Sequence, residues 1–327
     1  MRRLFYSASV GIVAWALFTV PLPLVVFSPA PATPVTEVIE VDGEIDPLTG
    51  SLMITTVRVR DDATTSAVVV ALFDRYQDIT RREQVIPAGV DPNRFFEAQR
   101  QVFNESVELA AAVGLRLAGR EVQVGGDGAR VVGVIEGAPA EGSLRSGDLI
   151  VEANGRRIEL STQLANLTSE AEAGDVFDLT VRRGEQTIQR SVELGPLPDI
   201  EGRAGLGIFV ETVNQRIELP PDVEIVNRSR IGGPSAGLML SLAVFDLFDA
   251  VDLTAGRRIA GTGTVDLSGR IGPIGGIEEK VRGAVLADAD VFLAPAGQAD
   301  AARVVAPPDL EVIAVRTVDD AVRRLSR

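Results

Sequence analysis

The sequence predicts a multidomain protein of mixed α/β and α+β class, with an N-terminal apolar helix, a β-rich domain and a C-terminal α/β domain. Residues 4–27 contain no charged side chain, which favours a membrane-spanning or signal segment. Residues 114–196 alternate short strand-like runs with Gly-rich turns, as is typical of a β-rich domain. Residues 200–327 alternate strand-like and helix-like segments, which predicts one α/β domain.

The N-terminal segment predicts export. Arg2 and Arg3 precede the apolar run, whose 24 residues would span about 36 Å as a helix. We interpret residues 1–28 as a transmembrane anchor. A cleaved signal peptide is the alternative, because residues 30–32 (Ala-Pro-Ala) fit a small-x-small cleavage site. Either interpretation keeps the paired arginines in the cytoplasm. We therefore expect a single-pass protein of the cytoplasmic membrane with an extracytoplasmic catalytic region.

Residues 29–113 are predicted to be an extracytoplasmic linker or spacer that contains strands and one helix. The run 51–59 is rich in β-branched residues and predicts a strand. Asp91-Pro92 provides a start signal for a helix over about 94–113. No residue of this region indicates chemistry, so we expect it to hold the following domains away from the membrane.

The β-rich region contains a specific series of motifs. Residues 137–140 read Gly-Ala-Pro-Ala, residues 144–150 read Leu-Arg-Ser-Gly-Asp-Leu-Ile, and an Asn154-Gly155 turn follows. Two further strands are predicted over 176–182 and 187–194, joined by a turn at Gly184.

This series resembles bacterial-type PDZ domains over about 80 residues and implies a PDZ domain at 114–196. Such domains add a peptide to a sheet edge and bind its terminal carboxylate with backbone amides. By this resemblance, the expected carboxylate-binding loop is Gly114-Leu115-Arg116-Leu117. The alternative is that these glycines only shape turns.

Composition excludes several kinds of chemistry. The chain has no histidine and no cysteine, and of its 32 basic residues only Lys280 is a lysine. This composition excludes catalytic triads that need His or Cys. It also excludes disulfides, and haem or zinc sites in which His or Cys is the ligand. A phosphate-binding P-loop is excluded as well, because Val281 follows the lysine. The net charge of −14 argues against nucleic acid as a partner. We expect no metal and no cofactor.

Ser235 is a candidate nucleophile. Gly232, Gly233 and Pro234 precede it, and an almost uninterrupted apolar helix is predicted from Ala236 to about residue 248. Amides at a helix start favour negative charge and could stabilise an oxyanion. The candidate donors are the amide of Ser235 and one amide of the two glycines. The alternative role for this serine is a plain N-cap.

Lys280 is the candidate base. On a helix that starts near Gly276, Ile277, Val281 and Ala284 form one apolar face, and Lys280 lies at its margin. Glu278, Glu279 and Arg282 are expected to point elsewhere. Burial lowers a lysine pKa, whereas arginine cannot act as a base because its guanidinium does not deprotonate. The alternative is a lysine that extends to solvent.

Two blocks of sequence, Gly-Pro-Ser-Ala-Gly at 233–237 and Gly-Thr-Gly-Thr-Val-Asp-Leu-Ser-Gly-Arg-Ile-Gly-Pro-Ile-Gly-Gly-Ile-Glu-Glu-Lys at 261–280, resemble the proteolytic domain of Lon. The resemblance covers about 125 residues. It implies an endopeptidase with Ser235 as nucleophile, Lys280 as general base and Thr262 as the residue that orients the lysine. Gly232 departs from the pattern, since ATP-dependent Lon proteins usually have an acidic residue there. With the anchor and the PDZ domain, the chain resembles bacterial membrane-anchored PDZ–Lon proteases of the YlbL type.

The expected function is that of an ATP-independent serine endopeptidase acting outside the membrane on unstructured or PDZ-selected polypeptides. Its expected partners are polypeptide substrates, PDZ-bound peptide segments and the membrane. One alternative is a catalytically silent PDZ and Lon-like scaffold, and another is a protease that cleaves only its own chain. The sequence does not decide whether the protein forms a homo-oligomer.

Overall fold

The structure is a computed structural model that describes residues 18–326 except 19, 42–48, 75, 87–90, 170, 198–199, 221–224, 228–230 and 250. The chain divides into two compact units. One comprises the residues up to Glu121 together with those from Leu219 onward, and the other is the continuous segment Val122–Glu218. In sequence, the second unit is therefore an insertion in the first.

The regular elements of the described residues follow in chain order. The strands are β1 (Leu24–Pro29), β2 (Thr33–Pro34), β3 (Ile39–Val41), β4 (Ser51–Ile54), β5 (Val57–Arg60), β6 (Asp78–Arg81), β7 (Gln123–Gly125), β8 (Ala129–Val134), β9 (Leu149–Ala153), β10 (Arg156–Arg157), β11 (Val176–Arg183), β12 (Gln186–Glu193), β13 (Gly195–Leu197), β14 (Ile200–Gly205), β15 (Ile208–Thr212), β16 (Arg216–Glu218), β17 (Ile225–Asn227), β18 (Arg258–Gly261), β19 (Thr264–Val265), β20 (Ile271–Gly272), β21 (Val291–Pro295) and β22 (Glu311–Val315). The helices are α1 (Val35–Val38), α2 (Thr65–Leu72), α3 (Arg82–Val85), α4 (Pro92–Leu117), α5 (Ser161–Ser169), α6 (Gly237–Phe248), α7 (Ile277–Leu286), α8 (Ala299–Val305) and α9 (Val318–Leu325), with a 3₁₀ turn at Ala296–Gln298.

A five-stranded sheet of order β2-β4-β18-β21-β22 forms the centre of the first unit. Strands β4, β18, β21 and β22 run parallel to one another, whereas β2 is antiparallel to β4. Leu52 in β4 pairs with Ile259 in β18, which pairs with Val291 in β21. All three side chains are buried. Strands of a parallel sheet covered on both faces are expected to be apolar throughout, and this explains the continuous apolar runs of β4 and β21.

The interpretation of residues 29–113 as a spacer is wrong. β4 pairs with β18 in the central sheet, β3 pairs with β17, and α4 packs against α6. These residues therefore belong to the same compact unit as the C-terminal region. The single strand predicted at 51–59 is two strands, β4 and β5, which belong to different sheets, and the partner β18 of β4 lies about 200 residues later in the chain. Local sequence patterns do not reveal a pairing at such a separation.

Helix α6 is buried over most of its length because α4 covers one side of it. The start of α4 agrees with its predicted signal: Pro92 occupies the first turn, and the Asp91 carboxylate accepts hydrogen bonds from the amides of Asn93 and Arg94. The helix runs four residues beyond the predicted end at 113. Its last turn is held against α6 by a close approach of the two backbones at Gly114.

A methyl group at position 114 is expected to destabilise the first unit. In Gly114→Ala, the new Cβ would lie 2.6 Å from the carbonyl oxygen of Ser241 and 2.9 Å from Cβ of Val244. We expect the free energy of unfolding to fall by about 1–3 kcal/mol, measured by urea denaturation. Gly297→Ala is the matched control, since its Cβ would meet no atom within 4 Å, and it should change stability by less than about 0.5 kcal/mol. Equal stabilities for both variants would contradict the tight packing.

A three-stranded antiparallel sheet of order β5-β1-β6 adjoins the central sheet. Its middle strand, β1, corrects the predicted end of the anchor, because Leu24–Pro29 is extended and paired on both sides instead of helical. Pro21 and Pro23 precede this strand and are unfavourable inside a helix. Most of the predicted anchor, residues 1–17 and 19, lies outside the described residues. Within the part of the chain that the structure describes, no helix is long and apolar enough to cross a bilayer.

The second unit is built on a sheet of order β12-β11-β9-β8-β15, with α5 packed against it. The predicted strands over 176–182 and 187–194 are confirmed as β11 and β12, and the turn at Asn154-Gly155 has the positive φ angles of 50° and 72° expected of such a pair. The compact structural unit, Val122–Glu218, has different limits from the predicted domain at 114–196. Residues after 196 supply β15, which pairs with β8, and β16, which pairs with β7. The boundary predicted at 200 for the C-terminal domain therefore moves to Leu219.

Candidate active site and peptide-binding edge

Ser235 lies in the turn that leads into α6 and is half-buried. Gly233, which precedes it by two residues, has a φ of +82°, a conformation that favours glycine. The amide of Gly233 donates a hydrogen bond of 2.9 Å to the carbonyl oxygen of Gln99 in α4. A side chain on Gly232 would come within 3.0 Å of Cβ of Gln99. Helix α4 thus determines the path of the chain into the serine.

Two amides at this turn are available to a ligand. Among the described residues, the amides of Ser235 and Ala236 donate to no backbone acceptor, whereas that of Gly233 is engaged by Gln99. The expectation that one of the two preceding glycines supplies an oxyanion donor is thus wrong for Gly233. The amide of Gly232 likewise donates to no described backbone acceptor, so the prediction stays open for Gly232, and the Ala236 amide at the start of α6 is a further candidate. Unpaired amides at a helix start are suited to stabilising negative charge.

Thr262 connects the serine to the lysine. It follows β18 directly and is fully buried. Its hydroxyl donates to the carbonyl oxygen of Ser235 at 3.0 Å and accepts from Nζ of Lys280 at 3.1 Å. The Ser235 carbonyl accepts a second hydrogen bond of 2.8 Å from the amide of Gly263. The backbone of the serine is therefore held rigidly beside the lysine amine.

Lys280 lies on α7 and its side chain enters the interior, as its position at the margin of the apolar face predicts. The residue is only 4% exposed. Burial lowers the pKa of Lys280 to about 8, and the negative charge of Glu279 opposes this shift. A lysine with such a pKa has a substantial neutral fraction near neutral or mildly alkaline pH. It can then accept a proton.

Glu279 departs from the sequence prediction, which placed its side chain away from the interior. The residue is 8% exposed, and burial raises the pKa of its carboxyl.

Among the described residues, Ser235 Oγ and Lys280 Nζ form no direct hydrogen bond, and the link between the two residues runs through Thr262.

Loss of the Thr262 hydroxyl is expected to impair turnover without preventing folding. In Thr262→Val, Nζ of Lys280 loses its partner and the Ser235 carbonyl loses one of two hydrogen bonds. We expect kcat to fall by about 10- to 100-fold with an unchanged KM, because the hydroxyl positions the reacting groups and does not bind substrate. Thr262→Ser should retain most activity, and circular dichroism should be unchanged for both. A rise in KM alone would contradict the positioning role.

The predicted carboxylate-binding loop at residues 114–117 is wrong. These residues form the last turn of α4 in the first unit, where Gly114 and Leu115 are buried. The Gly-Leu pattern at 114–115 lies in a helix, where the small glycine permits close packing against Ser241. A second run of similar composition, Gly205-Leu206-Gly207-Ile208, was overlooked because it follows the predicted end of the domain.

The run Gly205-Leu206-Gly207-Ile208 has the structural features expected of a peptide-binding edge. β15 is an edge strand of the second sheet and follows Gly207, which has a φ of +72°. The loop is tied down by hydrogen bonds from the amide of Ile135 to the Gly207 carbonyl and from the amide of Ala140 to the Leu206 carbonyl. α5 packs along β15, joined to it by a hydrogen bond from the amide of Ser161 to the Thr212 hydroxyl. An edge strand beside a helix can accept a peptide as a further strand.

Family comparison gives the class of the two regions. Residues 111–194 match the PDZ domain family, and residues 230–325 match the family of the Lon protease (S16) C-terminal proteolytic domain. The chain thus combines a PDZ domain with a Lon-type proteolytic domain, which is a serine peptidase domain of the Lon family.

Several individual proteins are similar to part of this chain. The chain is 36% identical to a Lon protease of Campylobacter concisus over 95 residues, which are 28% of this chain and 12% of that protein. It is 30% identical to a probable periplasmic serine endoprotease, DegP-like, of Pseudomonas savastanoi over 126 residues, covering 33% and 26% of the two chains. The PDZ domain of an SdrC-like protein from Listeria monocytogenes is 27% identical and covers 26% of this chain and 87% of its own, with a TM-score of 0.24. The chain thus spans about an eighth of the length of the Lon relative.

Proposed function

We propose that the protein is an ATP-independent serine endopeptidase with a Ser235–Lys280 dyad. The observation that carries this proposal is the buried amine of Lys280, which has a lowered pKa and shares Thr262 with the serine backbone. A buried amine that forms no ion pair with any described residue costs stability, and a base role accounts for that cost. ATP independence is supported by the absence of a P-loop lysine from these 327 residues.

The proposed reaction is acyl transfer followed by hydrolysis. Neutral Lys280 removes the hydroxyl proton of Ser235 while Oγ bonds to the carbonyl carbon of the substrate. The amides of Ser235 and Ala236 donate to the resulting oxyanion. As the carbon–nitrogen bond breaks, the Lys280 ammonium returns the proton to the leaving amine. Water, deprotonated by the same lysine, then cleaves the ester and frees the serine.

The test is cleavage of an unfolded protein by the full chain, without nucleotide. Fragments should appear with the wild type and be absent with Ser235→Ala. Ser241→Ala is the matched control: this serine lies in α6, the helix that follows Ser235, and its buried hydroxyl has no hydrogen-bond partner among the described residues. Cleavage that requires ATP, or that persists in Ser235→Ala, would overturn the proposal.

A silent scaffold is the second candidate, because Ser235 Oγ and Lys280 Nζ share no direct hydrogen bond among the described residues. It predicts that the wild type binds peptides and produces no Ser235-dependent fragment. The same experiment therefore separates the two candidates.

We also propose that the PDZ domain binds the C-terminal segment of a polypeptide at β15. Ile208 is partly buried on the side of β15 that faces the domain core, whereas Phe209 projects from the other side and is exposed. In Ile208→Ala, the affinity for a peptide with an apolar C-terminus should fall by about tenfold, measured by fluorescence anisotropy. Phe209→Ala and Arg116→Ala are the controls. Equal losses in all three variants would contradict the assignment of the groove.

We propose further that the catalytic region acts outside the cytoplasmic membrane, on a chain that crosses it once with Arg2 and Arg3 inside. The support is the uncharged run that follows these arginines. Because the chain has no cysteine, a single Val304→Cys variant can be probed in intact cells with a membrane-impermeant maleimide. Labelling without lysis is expected. Labelling only after lysis would place the region in the cytoplasm.

A further inference from the structure

The exposed apolar side chains of the described residues are unevenly distributed. Six of the twelve large ones occur between Phe18 and Phe73, and the other six are scattered over the rest of the chain. Four of them form one surface on α2 and the residue after it, which we call the α2 apolar face: Val69, Val70, Leu72 and Phe73. Their exposures are 47%, 62%, 69% and 89%.

Helix α2 lacks the polar side that a surface helix normally has. Its inner side, with Val68 and Ala71, packs on Val26 and Ile79 of the three-stranded sheet. Its outer side is the α2 apolar face. A helix that is apolar on all sides is expected to be covered either by protein or by lipid.

The surroundings of this face are suited to an anionic lipid surface. A cavity of about 550 Å³ beside it has Phe18 and Val70 among its apolar lining residues, and its charged lining residues are Arg58, Arg60 and Asp74, two positive charges and one negative. Both arginines are exposed and form no ion pair with any described residue. In a chain of net charge −14, two arginines beside an apolar helix, without an ion pair in the part of the chain that the structure describes, are a local departure from the overall charge. Basic residues at the rim of an apolar surface favour anionic headgroups.

The position of the chain identifies the occupant. The uncharged run Leu4–Val20 ends in Phe18, Thr19 and Val20, and Phe18 lines the same cavity as Val70. If this run crosses the bilayer, as proposed above, the cavity beside the α2 apolar face lies at the end of the run, because Phe18 and Val70 both line it. A soluble partner or a second copy of the chain that covered the α2 apolar face would have to bind it directly beside the bilayer.

We propose that the α2 apolar face docks on the outer leaflet of the membrane, with Val70, Leu72 and Phe73 entering the boundary between headgroups and acyl chains and Arg58 and Arg60 contacting anionic headgroups. This docking rests on the proposed membrane location. Docking would fix the orientation of the first unit relative to the bilayer, whereas a flexible tether would only keep the unit near the membrane.

The test uses single-cysteine variants of the full chain, labelled with an environment-sensitive fluorophore and incorporated into phosphatidylcholine vesicles containing one third phosphatidylglycerol. Phe73→Cys reports on the docking face. Val304→Cys, on α8, is the matched control because Val304 is also apolar and is 84% exposed. A nitroxide quencher carried by the lipid should quench the label at 73 at least threefold more than the label at 304. In a Phe73→Cys background, Arg58→Gln with Arg60→Gln should reduce that quenching.

Three results would overturn the proposal. Equal lipid quenching at both positions would mean that the face does not contact the bilayer, although the chain would still be anchored. A label at 73 that is shielded from aqueous iodide but not quenched by the lipid would mean that protein covers the face, from this chain or a second copy. Failure of the full chain to float with the vesicles would overturn both the docking and the membrane location.

Discussion

Lys280→Arg is expected to reduce peptide cleavage by at least about 10³-fold, although it preserves the positive charge. A guanidinium does not lose its proton in proteins and cannot accept the proton of Ser235. Ser235→Ala should be at least as inactive. The double variant should be no worse than either single variant, because residues that act in one step are not additive. The measurement is kcat/KM on an unfolded protein or a fluorogenic peptide.

The control for this prediction is Arg282→Lys, which exchanges the two cations in the opposite direction on the same helix. Its guanidinium lies 4.9 Å from the ring centre of Tyr76, and a lysine can preserve that contact. Activity should therefore be retained. Substantial cleavage by Lys280→Arg, with Ser235→Ala inactive, would leave the serine as nucleophile and remove the lysine from the role of base.

Lys280→Met is expected to be inactive and yet more stable than the wild type at pH 7, by up to about 3 kcal/mol. The pKa of Lys280 falls from 10.5 to about 8 on folding, and each unit corresponds to about 1.36 kcal/mol. Below pH 8 the native state contains a buried ammonium, which is unfavourable relative to the unfolded chain. Methionine has a similar shape without the charge. Loss of the hydrogen bond to Thr262 offsets part of the gain.

The pH dependence identifies the cause of this difference. Between pH 8 and 10.5 the unfolded chain binds a proton that the native lysine has released, so the stability of the wild type rises with pH in this window. The advantage of Lys280→Met should shrink over the same range in urea unfolding. In the active protein, kcat/KM should rise with pH with an apparent pKa near 8. A stability difference that is constant from pH 7 to 10.5 would contradict a depressed lysine pKa.

The candidate catalytic residues could be found from the sequence because their chemistry is rare in this chain. A single lysine among many arginines is conspicuous, and the glycines and proline before Ser235 indicate a turn into an apolar helix. The spacing of Ile277, Val281 and Ala284 also predicted the inward position of Lys280. The contact with Thr262 followed only from the resemblance to Lon, since β18 and α7 meet through tertiary packing.

The peptide-binding edge that we propose, β15, could not be distinguished from residues 114–117 by the sequence, for a definite physical reason. Gly114-Leu115 and Gly205-Leu206 are equivalent as local patterns, and only the first falls within the limits that the motifs suggested. Strand pairing distinguishes them, because β15 pairs with β8 whereas Gly114 lies against Ser241 in a helix contact.

The sequence alone determined the identity of both domains, the turn before α6 and the inward face of α7, since these depend on local conformation and on residue chemistry. The tertiary structure decided that β4 and α4 belong to the proteolytic unit, that the PDZ domain is inserted within it, and which amides beside Ser235 are unpaired. Those features depend on pairings between residues about 100 to 200 positions apart. Such pairings are selected by the free energy of the assembled core, which no short segment carries by itself.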